Sequence, residues 1–431
     1  MSSAGMATEP RAGSGAAPRG RPISAGRRRA ALLLALLLVL VGGVVGLEVI
    51  VRLFVPVTDV PFYFWDPTLG LRRAPNQAGR YLNGWDVRGR YHFNAQGWND
   101  PREFSVARPA GVRRVCLVGD SQVESLQVQP DETMYAVAEQ QMNRPDRAVQ
   151  WYAFGCSGWG TQHEYECIRK YVLDYSPEVV VLLFVQNDPM DCSPYVGTPD
   201  PHSVVYWLDG QEQLTLAYPT EYEPSALRRL SARSALVRLL MVQHDVVGKL
   251  KARLSGKQVV QGVGQLPLRD LVERAKSDLV PGLATMSLEE RQIKTWKLVE
   301  KLLEAARDEC ARRGARFVVA SRGWSYEIDA PLKHTQFQAP PKNADPYCLD
   351  TRVSEMGREW VGPICARLNI PYLDLTAALQ TEVMKQRQSH RFPKDNHYNA
   401  LGHRAAGMAL AAWIESLWAP GDGQTEGRTA R

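Results

Sequence analysis

The feature that most constrains the fold is an unbroken run of seven apolar residues over 179–185, with sequence VVVLLFV. Pro177 precedes the run, and Asn187 follows shortly after it. A continuous apolar run of this length, rich in β-branched residues, predicts a strand that is buried on both faces. Such strands are typical of parallel sheets covered by helices on either side. The run therefore favours an α/β architecture.

Four more short apolar runs predict strands, and helical patterns separate them. These runs cover residues 115–118, 149–154, 316–320 and 370–375. The clearest helical pattern begins with a capping box at Ser287, and its apolar positions recur at helical spacing as far as Ala306. Alternating strands and helices predict an α/β fold with a mostly parallel sheet and right-handed crossovers.

Three of the predicted strands end in residues that carry chemistry. Ser121, Gly158 and Asn187 each follow such a strand closely. Taken singly, Ser121 fits a helix N-cap, and Gly158 and Asn187 fit turn positions. However, the carboxyl ends of parallel strands meet at one edge of a sheet, where the active sites of such folds lie. We therefore expect the three residues to lie close together.

The last loop supplies the partners that a nucleophilic serine needs, since Asp395 and His397 lie two positions apart. A serine hydroxyl requires a base within hydrogen-bond reach, and a carboxylate must orient that base. The sequence thus predicts Ser121 as nucleophile, His397 as base and Asp395 as its partner. The backbone N–H groups of Ser121 and Gly158 and the amide of Asn187 are candidate oxyanion donors. For Asp395, capping of the final helix is the alternative interpretation.

In order along the chain, these segments resemble the four sequence blocks of the SGNH (GDSL-type) hydrolase superfamily. The blocks here are Gly119-Asp120-Ser121, Ser157-Gly158, Asn187-Asp188 and the loop that holds Asp395 and His397. The resemblance covers roughly residues 113–188 and 290–418. It implies a three-layer, flavodoxin-like fold. It also implies the same triad and the same oxyanion hole, made by Gly158 and Asn187.

The chain also resembles a bacterial subgroup of this superfamily that carries an N-terminal membrane anchor and an Asn-x-x-Gly-Trp lead-in. Here that lead-in runs from Asn94 to Trp98. Members of the subgroup are associated with exported polysaccharide and its O-acyl groups. The resemblance implies a serine esterase that forms an acyl-enzyme on an exported ester, an O-acylated glycan. A partnership with envelope polysaccharide machinery follows as an expectation.

Three positions depart from the pattern of the superfamily. The spacing Asp395-Asn396-His397 is one residue shorter than the usual Asp-x-x-His, and it resembles the alginate O-acetylation branch, which transfers acyl groups. Gln122 follows the serine where an aromatic or aliphatic residue is usual, and Ala153 stands where many relatives have Asn. Two alternatives therefore stay open. One is an O-acyltransferase to a polysaccharide hydroxyl with the same triad, and the other is a catalytically inactive glycan-binding or assembly component.

The N-terminal region predicts attachment to a membrane. No charged residue occurs from Ala30 to Leu47, and this length is sufficient for a membrane span. Six arginines precede the span, so residues 1–29 contribute +5 of the net charge of +6. This bias places the N-terminus inside and the body outside the cytoplasmic membrane. A cleaved signal peptide is the rival, but no convincing cleavage site precedes Glu48.

The predicted organisation has five parts. They are a disordered cytoplasmic tail (1–29), a transmembrane anchor (30–55), a β-rich lead-in (56–112), a hydrolase domain (113–418) with an insertion at 189–286, and a disordered tail (419–431). The lead-in is rich in aromatic residues, for which packing is the expected use. The insertion is expected to be partly helical and to cover one rim of the sheet.

The remaining residues exclude several other classes of function. Beyond residue 29 the net charge is close to zero, so we expect no nucleic-acid partner. No cluster has the spacing of metal ligands, and we expect no metal and no cofactor. His403 follows His397 by six residues, which is too far for a helical metal pair, so a structural role is expected. Seven cysteines leave the disulfide pairing open, although Cys116 in a central strand favours a free thiol.

Overall fold

The structure is a computed structural model. It describes residues 24–83, 86–197, 202–244, 246, 280, 282–323, 325–332, 360–393 and 395–419. Residues 1–55 and 56–431 form two compact units. The second unit contains all of the described strands, which are β1 (Tyr63–Asp66), β2 (Gly70–Arg73), β3 (Gln77–Asn83), β4 (Val87–Phe93), β5 (Val112–Gly119), β6 (Ala148–Gly155), β7 (Val179–Phe184), β8 (Val205–Leu208), β9 (Leu214–Ala217), β10 (Arg316–Ser321), β11 (Tyr372–Asp374), β12 (Arg391–Phe392) and β13 (Asp395–Tyr398).

The helices alternate with the central strands, as the sequence predicts. Those described are α1 (Ala25–Phe54), α2 (Ser121–Glu124), α3 (Met134–Met142), α4 (Thr161–Lys170), α5 (Asp188–Cys192), α6 (Ala226–Arg233), α7 (Ala235–Arg238), α8 (Leu288–Arg312), α9 (Ser325–Asp329), α10 (360–367), α11 (Thr376–Gln386) and α12 (Ala400–Trp418). The predicted helix near 352–368 is described from residue 360 onward, and its beginning lies outside the described residues.

A five-stranded parallel sheet forms the centre of the second unit, with strand order β11-β10-β7-β5-β6. All six residues of β7 are buried, as expected for a strand covered on both faces. One apolar core lies between the sheet and helices α4, α8 and α10, and it includes Trp296. A second core lies on the other face, against α3, α11 and α12, and it includes Leu379. The predicted three-layer α/β fold is confirmed.

The lead-in consists of two antiparallel hairpins, β1–β2 and β3–β4, followed by a tight turn. The side chains of β4 alternate between buried and exposed, which is the pattern of a strand with one face on a core. Trp98 is almost fully buried and packs edge-on against Phe154 of the sheet, with ring centroids 4.9 Å apart. Most lead-in aromatic side chains in the described residues are buried or half-buried.

The described part of the insertion differs from the expected helical cover in one respect. It begins with an antiparallel hairpin, β8–β9, before the helices α6 and α7. Tyr206 of β8 is buried and donates a hydrogen bond to the carboxylate of Glu166 in α4. The hairpin therefore packs on a layer helix, and its short strands lacked a clear alternating pattern in the sequence.

The first unit contains a single long apolar helix in its described residues. Helix α1 has 30 residues, and its most apolar 18-residue window has a mean hydropathy of 2.9. It begins at Ala25, five residues before the predicted start at Ala30, and thus includes Arg27 to Arg29. Its length and composition suit either a membrane span or a signal sequence.

Candidate active site

Strand β5 brings Ser121 to the carboxyl edge of the sheet. Asp120 caps the short helix α2, and its carboxylate accepts a hydrogen bond from the Gln122 N–H at 2.8 Å. Gly119 allows the helix to approach closely, since a Cβ there would lie 2.6 Å from a methyl group of Val123. Ser121 is therefore the first helical residue after a tight turn, and it is half-buried.

Hydrogen bonds connect Ser121 to His397 and His397 to Asp395. The Ser121 hydroxyl oxygen lies 2.7 Å from Nε2 of His397. Nδ1 of His397 makes a short hydrogen bond with the Asp395 carboxylate, which also accepts the His397 backbone N–H at 3.0 Å. This arrangement lets the imidazole receive a proton from the serine while the carboxylate holds its tautomer and orientation.

The Asp395 carboxylate is placed to remain ionised. Burial raises its pKa, but the hydrogen bonds from the side chain and backbone of His397 and from Asn83 outweigh burial, so that the pKa lies below its ordinary value. The alternative role for Asp395, capping of the final helix, is taken by another residue. Asn399 is the N-cap of α12, and its side chain accepts the Gly402 N–H at 3.1 Å.

Gly158 lies in the turn between β6 and α4, with a φ of +84°. A Cβ at this position would have no heavy atom within 4 Å, so the turn needs glycine for its backbone conformation rather than for space. Among the described residues, no acceptor engages the N–H of Gly158 or the N–H of Ser121. Both groups are thus available to a ligand oxygen.

Asn187 follows β7 and lies beside the serine turn. Its amide donates to Oδ2 of Asp120 at 3.3 Å and to Oδ2 of Asp191 at 2.8 Å. The same Oδ2 of Asp120 lies 3.2 Å from the Ser121 hydroxyl oxygen, so Asp120 bridges the serine and the amide. The bond to Asp120 is the longer of the two. It can be exchanged for a bond to an oxyanion while Asp191 keeps the amide in place.

Printed contacts join four of the five site residues expected from the sequence, Ser121, His397 and Asp395 directly and Asn187 through Asp120. Gly158 follows β6, the strand beside β5. The structure adds two residues that sequence reasoning missed. Gln122 donates from Nε2 to the Asn396 carbonyl at 3.4 Å, within the loop that carries the histidine. Asn83, at the end of β3, donates to Oδ2 of Asp395 at 3.3 Å. Gln122 had drawn attention only as a departure from the family pattern, whereas no local pattern distinguishes Asn83.

Residues that follow β10 support the histidine loop, the segment from Asp395 to Tyr398. Ser325 donates to the side-chain oxygen of Asn396 at 2.6 Å. The buried guanidinium of Arg322 donates to the Asn396 carbonyl at 3.4 Å and lies 5.0 Å from the centre of the Tyr398 ring. These contacts fix the loop on both sides of His397.

His403 lies inside the fold rather than in the site. It is buried in α12, and its Nδ1 accepts the backbone N–H of Met134 at 3.2 Å. Burial lowers the pKa of His403 to about 3. In the part of the chain that the structure describes, no group of three or more His, Cys, Asp or Glu side chains is placed to hold a metal ion.

Structural similarity to solved proteins is distant. An α/β hydrolase enzyme from the metagenome of Lake Arreo, Spain, is 11% identical with a TM-score of 0.35, over 71% of this chain and 96% of that one. A lipase/acylhydrolase from Enterococcus faecalis is 13% identical with a TM-score of 0.34, over 71% and 96%. A catalytic mutant of an acetylxylan esterase from Geobacillus stearothermophilus is 12% identical with a TM-score of 0.35, over 70% and 94%. No protein-family model and no curated protein matches the chain.

Proposed function

We propose that this chain is an SGNH-type serine ester hydrolase. The observation that carries the proposal is the 2.7 Å contact between the Ser121 hydroxyl and Nε2 of His397, with Asp395 on the opposite nitrogen of the same ring. A serine, a histidine and a carboxylate in this order are the parts needed to activate a hydroxyl for attack on a carbonyl.

The proposed reaction has two stages. In the first, Oγ of Ser121 attacks the ester carbonyl while His397 takes the hydroxyl proton. The ester oxygen then leaves as an alcohol with that proton, and an acyl-serine remains. In the second stage, water gives a proton to His397 and attacks the acyl-serine. The acid departs, and the proton returns to Oγ.

Two groups of donors would stabilise the negative oxygen in both stages. They are the backbone N–H groups of Ser121 and Gly158, and the side-chain amide of Asn187. Removal of one such donor typically lowers kcat by about 10²–10³-fold.

We further propose that the substrate is an exported ester, an O-acylated glycan. Helix α1, with Arg27 to Arg29 in its first turns, supports an anchor whose N-terminus stays inside and whose catalytic domain lies outside the cytoplasmic membrane. The Asn-x-x-Gly-Trp lead-in, from Asn94 to Trp98, supports the glycan, because it resembles a subgroup associated with exported polysaccharide.

A second candidate function is O-acyl transfer to a polysaccharide hydroxyl. The observation in its favour is the spacing of Asp395 and His397, which resembles the alginate O-acetylation branch. Both reactions share the same acyl-serine and differ only in whether water or a sugar hydroxyl attacks it. A catalytically inactive glycan-binding component is the remaining alternative, and it would not form an acyl-serine.

Turnover of p-nitrophenyl acetate by the full chain in detergent tests the proposal. We expect release of nitrophenol by the parent, background rates for Ser121→Ala and His397→Ala, and a parental rate at pH 8 for the matched control His403→Asn. A fluorophosphonate probe should label Ser121 in the parent and in His403→Asn, and it should label Ser121→Ala and His397→Ala only at background level. A parent that neither turns over nor labels would overturn the enzyme proposal and favour the binding component. Acetylation of an added polysaccharide, at the expense of acetate release, would favour the transferase.

A further inference from the structure

A buried carboxylate joins the serine helix to the loop that carries Gly158. Glu124 lies three residues after the serine in α2, and its side chain is fully buried. Its Oε2 accepts the backbone N–H of Ser157 at 3.0 Å and a short hydrogen bond from the Ser157 hydroxyl. Since Ser157 directly precedes Gly158, the position of Glu124 sets the position of the Gly158 N–H.

The lead-in holds Glu124 from the other side. Arg73, at the end of β2, makes a bidentate pair with this carboxylate, at 2.5 Å from Nε to Oε1 and 3.1 Å from Nη2 to Oε2. The Arg73 side chain is 6% exposed, and its guanidinium lies 4.0 Å from the centre of the Tyr63 ring. A buried bidentate pair fixes the carboxylate in both direction and rotation.

The Asn-x-x-Gly-Trp turn places Arg73. The side-chain oxygen of Asn94 accepts the backbone N–H of Trp98 at 3.0 Å and closes the turn. Gly97 has a φ of +81°, and a Cβ there would lie 2.6 Å from the Arg73 carbonyl. The turn thus packs directly against the backbone of Arg73. Asn99, immediately after the turn, donates to the Glu124 carbonyl at 2.6 Å.

We propose that Arg73 and Glu124 are positioning residues for the reaction. Together with Ser157 they hold the Gly158 N–H at the oxyanion, so that the lead-in is an obligatory part of the active site and not an accessory domain. This inference rests on the proposed function and deepens it. It assigns a chemical purpose to the Asn94-to-Trp98 turn, which the triad alone leaves unexplained.

Kinetics of the full chain with p-nitrophenyl acetate test the inference. We expect Glu124→Gln and Arg73→Lys to lower kcat by about 10–10²-fold with KM within about 2-fold, because a displaced oxyanion donor acts on the transition state. The matched control is Arg114→Lys. Arg114 is fully buried near the amino end of β5, away from Ser121, and donates to the Gln150 side chain at 2.9 Å, so its replacement should change kcat by less than about 3-fold.

A milder variant covers the case in which the buried pair cannot be changed without unfolding. Ser157→Ala removes only the hydroxyl contact and leaves the pair between Arg73 and Glu124 intact, and we expect about a 10-fold loss of kcat with a smaller fall in melting temperature than that of Arg73→Lys. In the double variant of Arg73→Lys and Ser157→Ala, the losses should fall short of their product, since both residues act through one carboxylate.

The outcomes separate this inference from the proposed function. If Ser121-dependent turnover is present but Glu124→Gln and Ser157→Ala keep kcat within the range of Arg114→Lys, the positioning role is overturned and the proposed function stands. If the parent shows no Ser121-dependent turnover, the proposed function is overturned, and the inference that rests on it is overturned as well. Losses in KM alone would also overturn the inference.

Discussion

Gln122 accepts a hydrogen bond from the backbone N–H of Tyr398, with 3.1 Å between Oε1 and N. The residue that follows the nucleophile is thereby bonded to the residue that follows the histidine. Because Nε2 of the same side chain reaches the Asn396 carbonyl, the amide spans the peptide groups on both sides of His397. The distance between serine and histidine thus depends on a side chain that follows the serine in sequence and bonds the peptide groups on both sides of the histidine.

Replacement of Gln122 by Ala should therefore lower kcat by about 10-fold, because the histidine loop loses two hydrogen bonds. Oγ of Ser121 and Nε2 of His397 would then spend less time at hydrogen-bond distance. The matched control is Gln380→Ala, which removes a 3.1 Å hydrogen bond to the Glu327 carbonyl outside the site. Steady-state kinetics and melting temperatures of both variants provide the measurement. Equal kcat values in the two variants would contradict the role of Gln122.

Replacement of Asp395 by Asn should lower kcat by about 10³-fold or more, because the amide presents a donor to Nδ1 and stabilises the wrong tautomer. Asp374→Asn is the control, since this carboxylate accepts the Thr376 backbone N–H at 2.9 Å in the turn before α11. Rates measured from pH 6 to 9 are the test. A loss of less than about 10-fold for Asp395→Asn would exclude the carboxylate from the triad.

Gly158→Ala should affect both stability and rate. An alanine at a φ of +84° costs about 1–2 kcal/mol, and a relaxed turn would move the N–H away from the substrate. Gly314→Ala is a matched control, because Gly314 also has a positive φ, of +72°, and also has open space around its Cβ position. The melting temperature should fall by a similar amount in both variants, but kcat should fall only in Gly158→Ala, by about 10-fold or more.

His403 should make the fold sensitive to acid. Its pKa is about 3 in the folded protein and about 6.5 in an unfolded chain, so the unfolded state binds more protons below pH 6.5. The stabilising contribution of the neutral imidazole is therefore complete above pH 6.5 and is lost progressively as the pH falls toward 3. His403→Asn keeps an acceptor for the Met134 N–H but cannot titrate. The melting temperature of the variant should fall less between pH 8 and pH 5, and parallel curves would contradict this account.

Much of the fold could be predicted from the sequence because its strands are local, continuous patterns. The run at 179–185 became β7, the centre of the sheet, and the run before Gly119 became β5 beside it. The hairpin β8–β9 was missed, because β8 is mostly buried and β9 is half-buried along its whole length, so neither short strand has an alternating pattern. Tertiary contact, rather than local preference, stabilises such strands.

By itself, the sequence determined the fold class and the five candidate residues of the site, from Ser121 to His397. Strand periodicity and strand-end chemistry are properties of neighbouring residues, so they are visible along the chain. Only the tertiary structure decided what holds these residues in place. Glu124 meets Arg73 across 51 positions, and Asn83 meets Asp395 across 312. Polar pairs of this kind carry no periodic pattern, because their partners are neighbours only after the sheet and the lead-in have packed.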